Sequence, residues 1–404
     1  MLPELPRELA HRQGPFATAC IDVSRDHEDA PREIELRAED VVRRLREQGA
    51  DDATAKAVQE ALTAPHTEPG RVGRGVVAAG GEVLLDVPLA APPRREVAAW
   101  APLPHLMAVL AQAAEELPHV VVTLSKTRAV VHEVGAGSDA TTETRGREEN
   151  THKARGGGMA HRNMQSRVEE VWASNARQFA HTVRDAVARV HAEVVVVVGE
   201  VQDRTILLDH LDERSRSLAV QVEGPGAGDA APAEDAPDER VREVVAERAA
   251  RRSADLVDSV ARELGRRSGL ATTGLAGVVQ ALQLQQVDVL VVVDDPSSDA
   301  RLWVGPGPAE LALTEDDLRG IGADVLGEDR ADAALVRAVA GTGARLLVLR
   351  HPDAGSDPAR AGSAAGGAPV PADVPGLADG VGALLRFSTD PDAPANADPV
   401  RDDS

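Results

Sequence analysis

Residues 151–179 read THKARGGGMAHRNMQSRVEEVWASNARQF, from Thr151 to Phe179. Three consecutive glycines stand among basic residues, and a helical pattern follows them. Glycine opens backbone conformations closed to other residues and permits close approach to a ligand. The helix behind the glycines adds free N–H groups and the positive end of its dipole. Between Arg145 and Arg167 lie six cations (Arg145, Arg147, Lys153, Arg155, Arg162, Arg167) and two acids (Glu148, Glu149), in a chain of 404 residues with a formal net charge of -22. Polyanion binding over the whole surface is thereby excluded, and any nucleic acid must meet this local patch. A solvated linker ahead of a helix has the same composition, so both readings stay open at this point.

Outward from the glycines, the pattern predicts a helix from about Asn163 to His191. Val168, Trp172, Phe179, Val183, Val187 and Val190 recur on one stripe of it. Before the glycines, HVVVTLSKTRAVVHEV (119–134) reads as two strands joined by a polar turn at Ser125 and Lys126. After the helix, AEVVVVVGE (192–200) is a continuous β-branched run, the mark of a strand covered on both faces. DRTILLDHL and SLAVQVEG add a helix and an edge strand, and PGAGDAAPAEDAPD (225–238) reads as a linker.

The flanking segments repeat the alternation. FATACIDVS (16–24) is a predicted strand, Asp29–Leu62 is helical with an interruption near Gly49, and GVVAAGGEVLLDVPL (75–89) is a hairpin turned by Gly80-Gly81. LPHLMAVLAQAAEEL (103–117) closes that unit as a helix. Beyond the linker come a charged helix from about Glu239 to Arg267, the helix GLAGVVQALQLQQ (274–286), and the strands VDVLVVVDD, ARLLVLRHP and GVGALLRFS. The Gly/Ala/Ser/Pro-rich excursion 353–375 reads as a mobile loop, and the Asp/Pro/Ala-rich tail from about 389 as disordered. The reading is an α/β protein of three small α/β domains in series, 1–115, 116–237 and 238–404, the middle one carrying the Gly-rich loop 151–162 before its long helix.

Composition narrows the functions. Tyrosine is absent and there are three Phe and three Trp, so base stacking on aromatic side chains is nearly unavailable. Any RNA contact then works through phosphates and shape. The single Cys20 excludes an intrachain disulfide framework and fits a reducing compartment; inside FATACIDV it reads as a buried strand residue. The N-terminus carries no signal-like apolar stretch, and no run approaches the ~20 residues of a membrane span, so a soluble cytoplasmic protein is expected. Neither G-x-x-x-x-G-K-[ST] nor a strand-to-helix G-x-G-x-x-G occurs.

His152 and His161 flank the glycines without a companion Cys or carboxylate in ligand register, so no metal and no cofactor is expected. A polar contact is the leading reading of His161, with acid–base chemistry the alternative. Met159 either wedges between bases or packs on its own domain. Asp294 and Asp295 end a strand at the edge where α/β sheets place ligands, while the following PSSD favours a turn. The stripe Val241, Val245, Ala249, Leu256, Val260 and Leu264 of the charged helix reads as internal packing.

The loop between a hairpin and a long helix, in the middle of three α/β domains, with GLAGVVQALQLQQVDVLVVVDD in the third, resembles the archaeal and eukaryotic peptide-chain release factors and their Pelota relatives. It is most similar to their bacterial relatives, the Balon-like ribosome hibernation factors. The resemblance runs from about Phe16 to Ser388 and is strongest at Lys153–Asn175 and Gly274–Asp295. Release factors place a Gly-Gly-Gln loop in the peptidyl-transferase centre; here the loop reads Arg155-Gly156-Gly157-Gly158-Met159-Ala160-His161-Arg162. Aligning the arginines puts Gly158 in the glutamine's place, and aligning the last glycine pair puts Met159 there. Neither supplies an amide, and the first domain shows no stop-codon-reading motif, so hydrolytic termination is not expected.

The resemblance implies a non-enzymatic factor that reaches the ribosomal A site as a monomer. It implies that Lys153, Arg155, Arg162 and Arg167, with Gly156, Gly157, Gly158, Met159 and His161, meet 23S rRNA, and, since family relatives reach the ribosome with elongation factor Tu or a similar GTPase, it makes elongation factor Tu a candidate partner. Two rivals remain: a peptidyl-tRNA hydrolase or RNase using backbone amides or His161, and a protein-interaction scaffold whose loop is a linker.

Overall fold

The computed structural model of the chain describes residues 7–27, 29–65, 71–89, 91–113, 117–135, 138–147, 159–224, 236–295, 298–350 and 377–388. These divide into two compact units, one of them Glu115–Arg251, the other formed from the chain on either side of it. The architecture is mixed α/β, as the alternation of patterns predicts.

The flanking unit begins with α1 (Arg7–His11), β1 (Phe16–Asp22), α2 (Ala30–Glu47), α3 (Asp52–Thr63), β2 (Gly73–Ala79), β3 (Glu82–Leu89), β4 (Val97–Ala101) and α4 (Met107–Ala113). Its antiparallel sheet runs β3-β2-β1-β4. Gly80 and Gly81 have φ of 58° and 79°, the positive values a two-residue hairpin turn needs. Helices α2 and α3 cover one face, where Ile34, Val41, Leu45 and Val58 meet Ala17, Ala19 and Ile21. Cys20 is fully buried on the opposite face beside Leu89 and Val109, and burial pushes its thiol up to about 12. It stays protonated at neutral pH, so a thiol reagent such as Ellman's is expected to label the folded chain at least a hundredfold more slowly than the urea-unfolded one. Equal rates in the two states would contradict that burial.

The middle unit contains β5 (His119–Leu124), β6 (Arg128–Gly135), β7 (Ser138–Arg145), α5 (Met159–Val190), β8 (Val194–Gly199), α6 (Val201–His210), α7 (Glu213–Ser217) and β9 (Ala219–Glu223), and takes in the first part of α8 (Ala236–Arg266). Its sheet runs β7-β6-β5-β8-β9, with β5, β8 and β9 parallel and β6 and β7 antiparallel. Every residue of β8 is buried. Val195 and Val197 face α5 and α6, while Val194, Val196 and Val198 face the layer that holds Val241. The expected stripe of α5 packs inward at Phe179, Val183, Val187 and Val190.

The chain then returns to the flanking unit through the rest of α8, β10 (Ala271–Thr273), α9 (Leu275–Gln283), β11 (Val287–Asp294), β12 (Arg301–Val304), β13 (Leu311–Ala312), α10 (Glu315–Gly320), β14 (Gly327–Arg330), α11 (Ala331–Thr342), β15 (Arg345–Arg350) and β16 (Val381–Leu385). One sheet runs β10-β16-β11-β15 with β11 and β15 parallel; a small antiparallel sheet runs β13-β12-β14. The α8 stripe packs in two parts, Val241, Val245 and Ala249 in the middle unit and Leu256, Val260 and Leu264 in the flanking one. A single apolar cluster joins Leu103, Leu106 and Leu110 to Val278, Leu290 and Leu335, so the two ends of the chain share one core. Arg337 is buried beside it and donates to the carbonyls of Ala10 (2.9 Å), Gly305 (2.7 Å) and Pro306.

Several elements differ from the sequence pattern. The helix expected over 103–117 is the shorter α4, and VAAWA before it is the edge strand β4. SDATTETR forms β7, although threonine rather than alternating large apolar residues carries it. The small sheet of β12, β13 and β14 has too few residues per strand to leave a period-two signal. The linker 225–235, the excursion 353–375 and the tail from 389 lie outside the described residues.

Candidate functional site

The glycine stretch places Lys153, Arg155, Gly156, Gly157 and Gly158, and His152 with them, outside the described residues. Met159, His161, Arg162 and Arg167 belong to α5, which starts at Met159, four residues ahead of the expected Asn163. The last four residues of the expected 151–162 loop are therefore helical. With 32 residues, α5 is about 48 Å long.

The root of the loop is well defined. Strand β7 ends at Arg145, and Gly146 and Arg147 follow it towards α5. Asn175, buried in the apolar stripe between Trp172 and Phe179, fastens three backbone groups there. Its Oδ1 accepts from the N–H of Arg147 at 2.8 Å, and its Nδ2 lies 3.1 Å from the Arg147 carbonyl and 2.9 Å from that of Lys126. A Cβ on Gly146 would stand 2.4 Å from the Asn175 Cγ, so only glycine lets the strand come this close. The backbone N–H of Gly146 donates to Thr127 O at 2.8 Å, tying the strand end to the β5–β6 turn as well.

Lys126, in that turn, holds its Nζ 4.2 Å from the centroid of the Trp172 ring. Asp203, in the first turn of α6, is 6% exposed, and its Oδ1 has no hydrogen-bond partner. Burial raises its carboxyl above the ordinary range, while the charge of Lys126 opposes the rise. Two further cations, Arg128 and Arg145, both bind Glu143, at 3.0 and 2.6 Å.

Sequence reasoning singled out the glycines and their cations and missed Asn175, Gly146 and Trp172 as a clamp. The available signal was a polar Asn three residues after Trp172 and four before Phe179, inside a stripe otherwise apolar.

The second candidate edge lies at Asp294 and Asp295, at the carboxyl end of β11 in the flanking unit. The Ser298 N–H donates to the Asp295 carbonyl at 3.1 Å, which is the expected turn. A cavity of about 290 Å³ opens there, lined by Leu275, Asp295, Arg330, Asp332 and Asp379 among others. Arg330 forks onto Asp332, its Nη2 2.7 Å from Oδ2. Burial pushes the Asp294 carboxyl up to about 6, partly offset by Arg94.

A carboxyl with a raised native pKa binds more protons folded than unfolded, so it costs stability above about pH 6 and costs nothing below about pH 3.8. Asp294→Asn is expected to stabilise the protein by on the order of 2 kcal/mol at pH 7.5. That gain shrinks between pH 6 and pH 4. Urea midpoints at pH 7.5 and 4.5 measure it; an equal effect at both would remove the proposed cause.

Among the described residues no group of three or more His, Cys, Asp or Glu is placed to hold a metal ion, and no helix is long and apolar enough to cross a membrane.

Residues 118–266 match the model of a family described as bacterial archaeo-eukaryotic release factor family 2. The Mycobacterium tuberculosis (strain H37Rv) protein Rv2629 is 30% identical over 393 residues, covering 96% of this chain and 97% of its own. Among solved structures, Archaeoglobus fulgidus Pelota is 15% identical with a TM-score of 0.33, covering 96% of this chain and 95% of that one. Saccharomyces cerevisiae Dom34, a translation termination-like factor, is 12% identical with a TM-score of 0.39, covering 80% and 81%. At such scores the two superpositions carry no weight beyond themselves.

Proposed function

The chain belongs to the bacterial archaeo-eukaryotic release factor family, and from that membership we propose that it is a ribosome-binding translation factor that occupies the A site and peptidyl-transferase region without cleaving peptidyl-tRNA. Such occupancy withholds the site from tRNA and suits a hibernating or stressed ribosome. Lys153, Arg155, Arg162 and Arg167 neutralise 23S rRNA phosphates, and Gly156, Gly157 and Gly158 bring the backbone close to them. Met159 and His161 complete the contact surface. The three segments expected from the sequence, 1–115, 116–237 and 238–404, act together as a cytoplasmic monomer, with elongation factor Tu as the delivering partner.

One observation carries this reading: Arg155–Arg162 keeps the glycines and flanking cations of a loop that enters RNA but holds no glutamine. Hydrolysis needs a group that positions water, and neither Gly158 nor the Met159 thioether offers an amide. The acidic remainder of the chain confines RNA contact to this region.

Pelleting with purified ribosomes over a potassium chloride series tests it. Wild type is expected to co-sediment at low salt and release as salt rises. Arg155→Ala/Arg162→Ala is expected to reduce the slope of log affinity against log salt by about 2. Peptidyl-tRNA release that disappears in His161→Ala would establish the hydrolase instead. A wild-type chain that ignores ribosomes at low salt would favour the scaffold.

A further inference from the structure

Resting on the ribosome-binding reading above, we infer that RNA contact continues below the glycine loop, where Lys126 and Arg147 form a second phosphate-binding point at its root. The two residues come from different strand ends, 21 positions apart in sequence. Asn175 brings them together: one amide nitrogen reaches both their carbonyls, at 2.9 and 3.1 Å, so the two backbones are adjacent. Each is held before any ligand arrives. The Arg147 backbone is bound at both its N–H and its C=O, and the Lys126 ammonium rests on the face of Trp172. Part of the side-chain entropy that a free lysine would lose on meeting a phosphate is already lost on folding.

Charge distinguishes this pair from its neighbours. Arg128 and Arg145, paired across β6 and β7, share Glu143, which offsets one of their two charges and holds both guanidinium groups. Lys126 and Arg147 make no ion pair with a carboxylate among the described residues. The charge of Lys126 acts on Asp203, which is only 6% exposed, whereas Arg147 is exposed. Among the described residues neither charge is taken up in a carboxylate pair, so both can meet a phosphate. In a chain with a net charge of -22, unneutralised cations on an ordered framework next to the loop are where an RNA backbone can approach. The chemistry fits phosphodiester oxygens and carries no base specificity.

The test uses the full-length chain and purified 70S ribosomes, pelleted across the same salt series. Lys126→Ala/Arg147→Ala is expected to reduce the salt slope by about 2, and the charge-preserving Lys126→Arg/Arg147→Lys to leave it at the wild-type value. Arg147→Ala alone removes a side chain with no hydrogen bond or ion pair among the described residues, so it keeps the test intact if loss of Lys126 disturbs Trp172. Its slope is expected to fall by about 1. Wild-type slopes in Arg147→Ala and in the double alanine variant would overturn the inference while leaving ribosome binding standing. Failure of the wild-type chain to pellet at low salt would overturn the ribosome reading and this inference with it.

Discussion

Asn175→Ala is expected to destabilise the middle unit by about 4 kcal/mol, because it strips partners from three backbone groups at once. The Arg147 N–H and the carbonyls of Lys126 and Arg147 all depend on this one side chain, which is only 2% exposed. An alanine methyl replaces none of those bonds and leaves room that the strand end cannot fill without moving. The change is read from the urea midpoint of Trp172 fluorescence, with Trp100 and Trp303 replaced by Phe so that the signal reports this unit alone. Gly146→Ala attacks the same joint from the other side, since its methyl would meet Asn175 at 2.4 Å. Both variants are expected to loosen the root of the loop and to weaken ribosome binding beyond their effect on stability. A wild-type urea midpoint in Asn175→Ala would show that the joint holds nothing.

Asp329→Ala is expected to cost a similar amount, about 4 kcal/mol, in the flanking unit. Asp329 is 2% exposed and accepts from the N–H of Leu103 at 2.9 Å through Oδ2. Its Oδ1 lies 2.8 Å from His105 Nε2 and accepts from the Arg330 N–H at 2.7 Å. The bonds to Leu103 and His105 span 226 and 224 positions of sequence. Removing the carboxylate strands a buried N–H and an imidazole beside the shared apolar core. Asp329→Asn retains a carbonyl for Leu103 and is expected to cost about half as much. Trp100 and Trp303 report this unit when Trp172 is replaced by Phe. Equal midpoints for wild type and Asp329→Ala would show that the apolar core alone joins the two ends of the chain.

The sequence made the local choices readable where one residue type dominates. Five consecutive valines specify β8 as a doubly covered strand, and Gly80-Gly81 specifies a hairpin, because each effect acts within a few residues. The loop was legible as chemistry for the same reason: glycines and arginines stand side by side in it. Its root was not, because Gly146, Lys126 and Asn175 are brought together only by tertiary packing, and a lone polar residue in a helix stripe does not say what it binds. Periodicity likewise marks Leu103, Leu106 and Leu110 as one apolar face without naming its cover, which comes from Val278 and beyond. Threonine-rich β7 and the two-residue β13 carry no alternation of large apolar side chains, so they were silent.

The shared core also fixes a schedule for biosynthesis. Leu103 leaves the exit tunnel long before its partner Asp329 is even translated, and at ordinary elongation speeds the 226 positions from one to the other take on the order of 10 to 50 seconds. Glu115–Arg251 is a contiguous stretch and can mature during that wait. The amino-terminal third meanwhile shows a greasy, uncovered flank to solvent. A premature stop ahead of α9 would leave that flank permanently bare and hand the truncated product to chaperones and proteases.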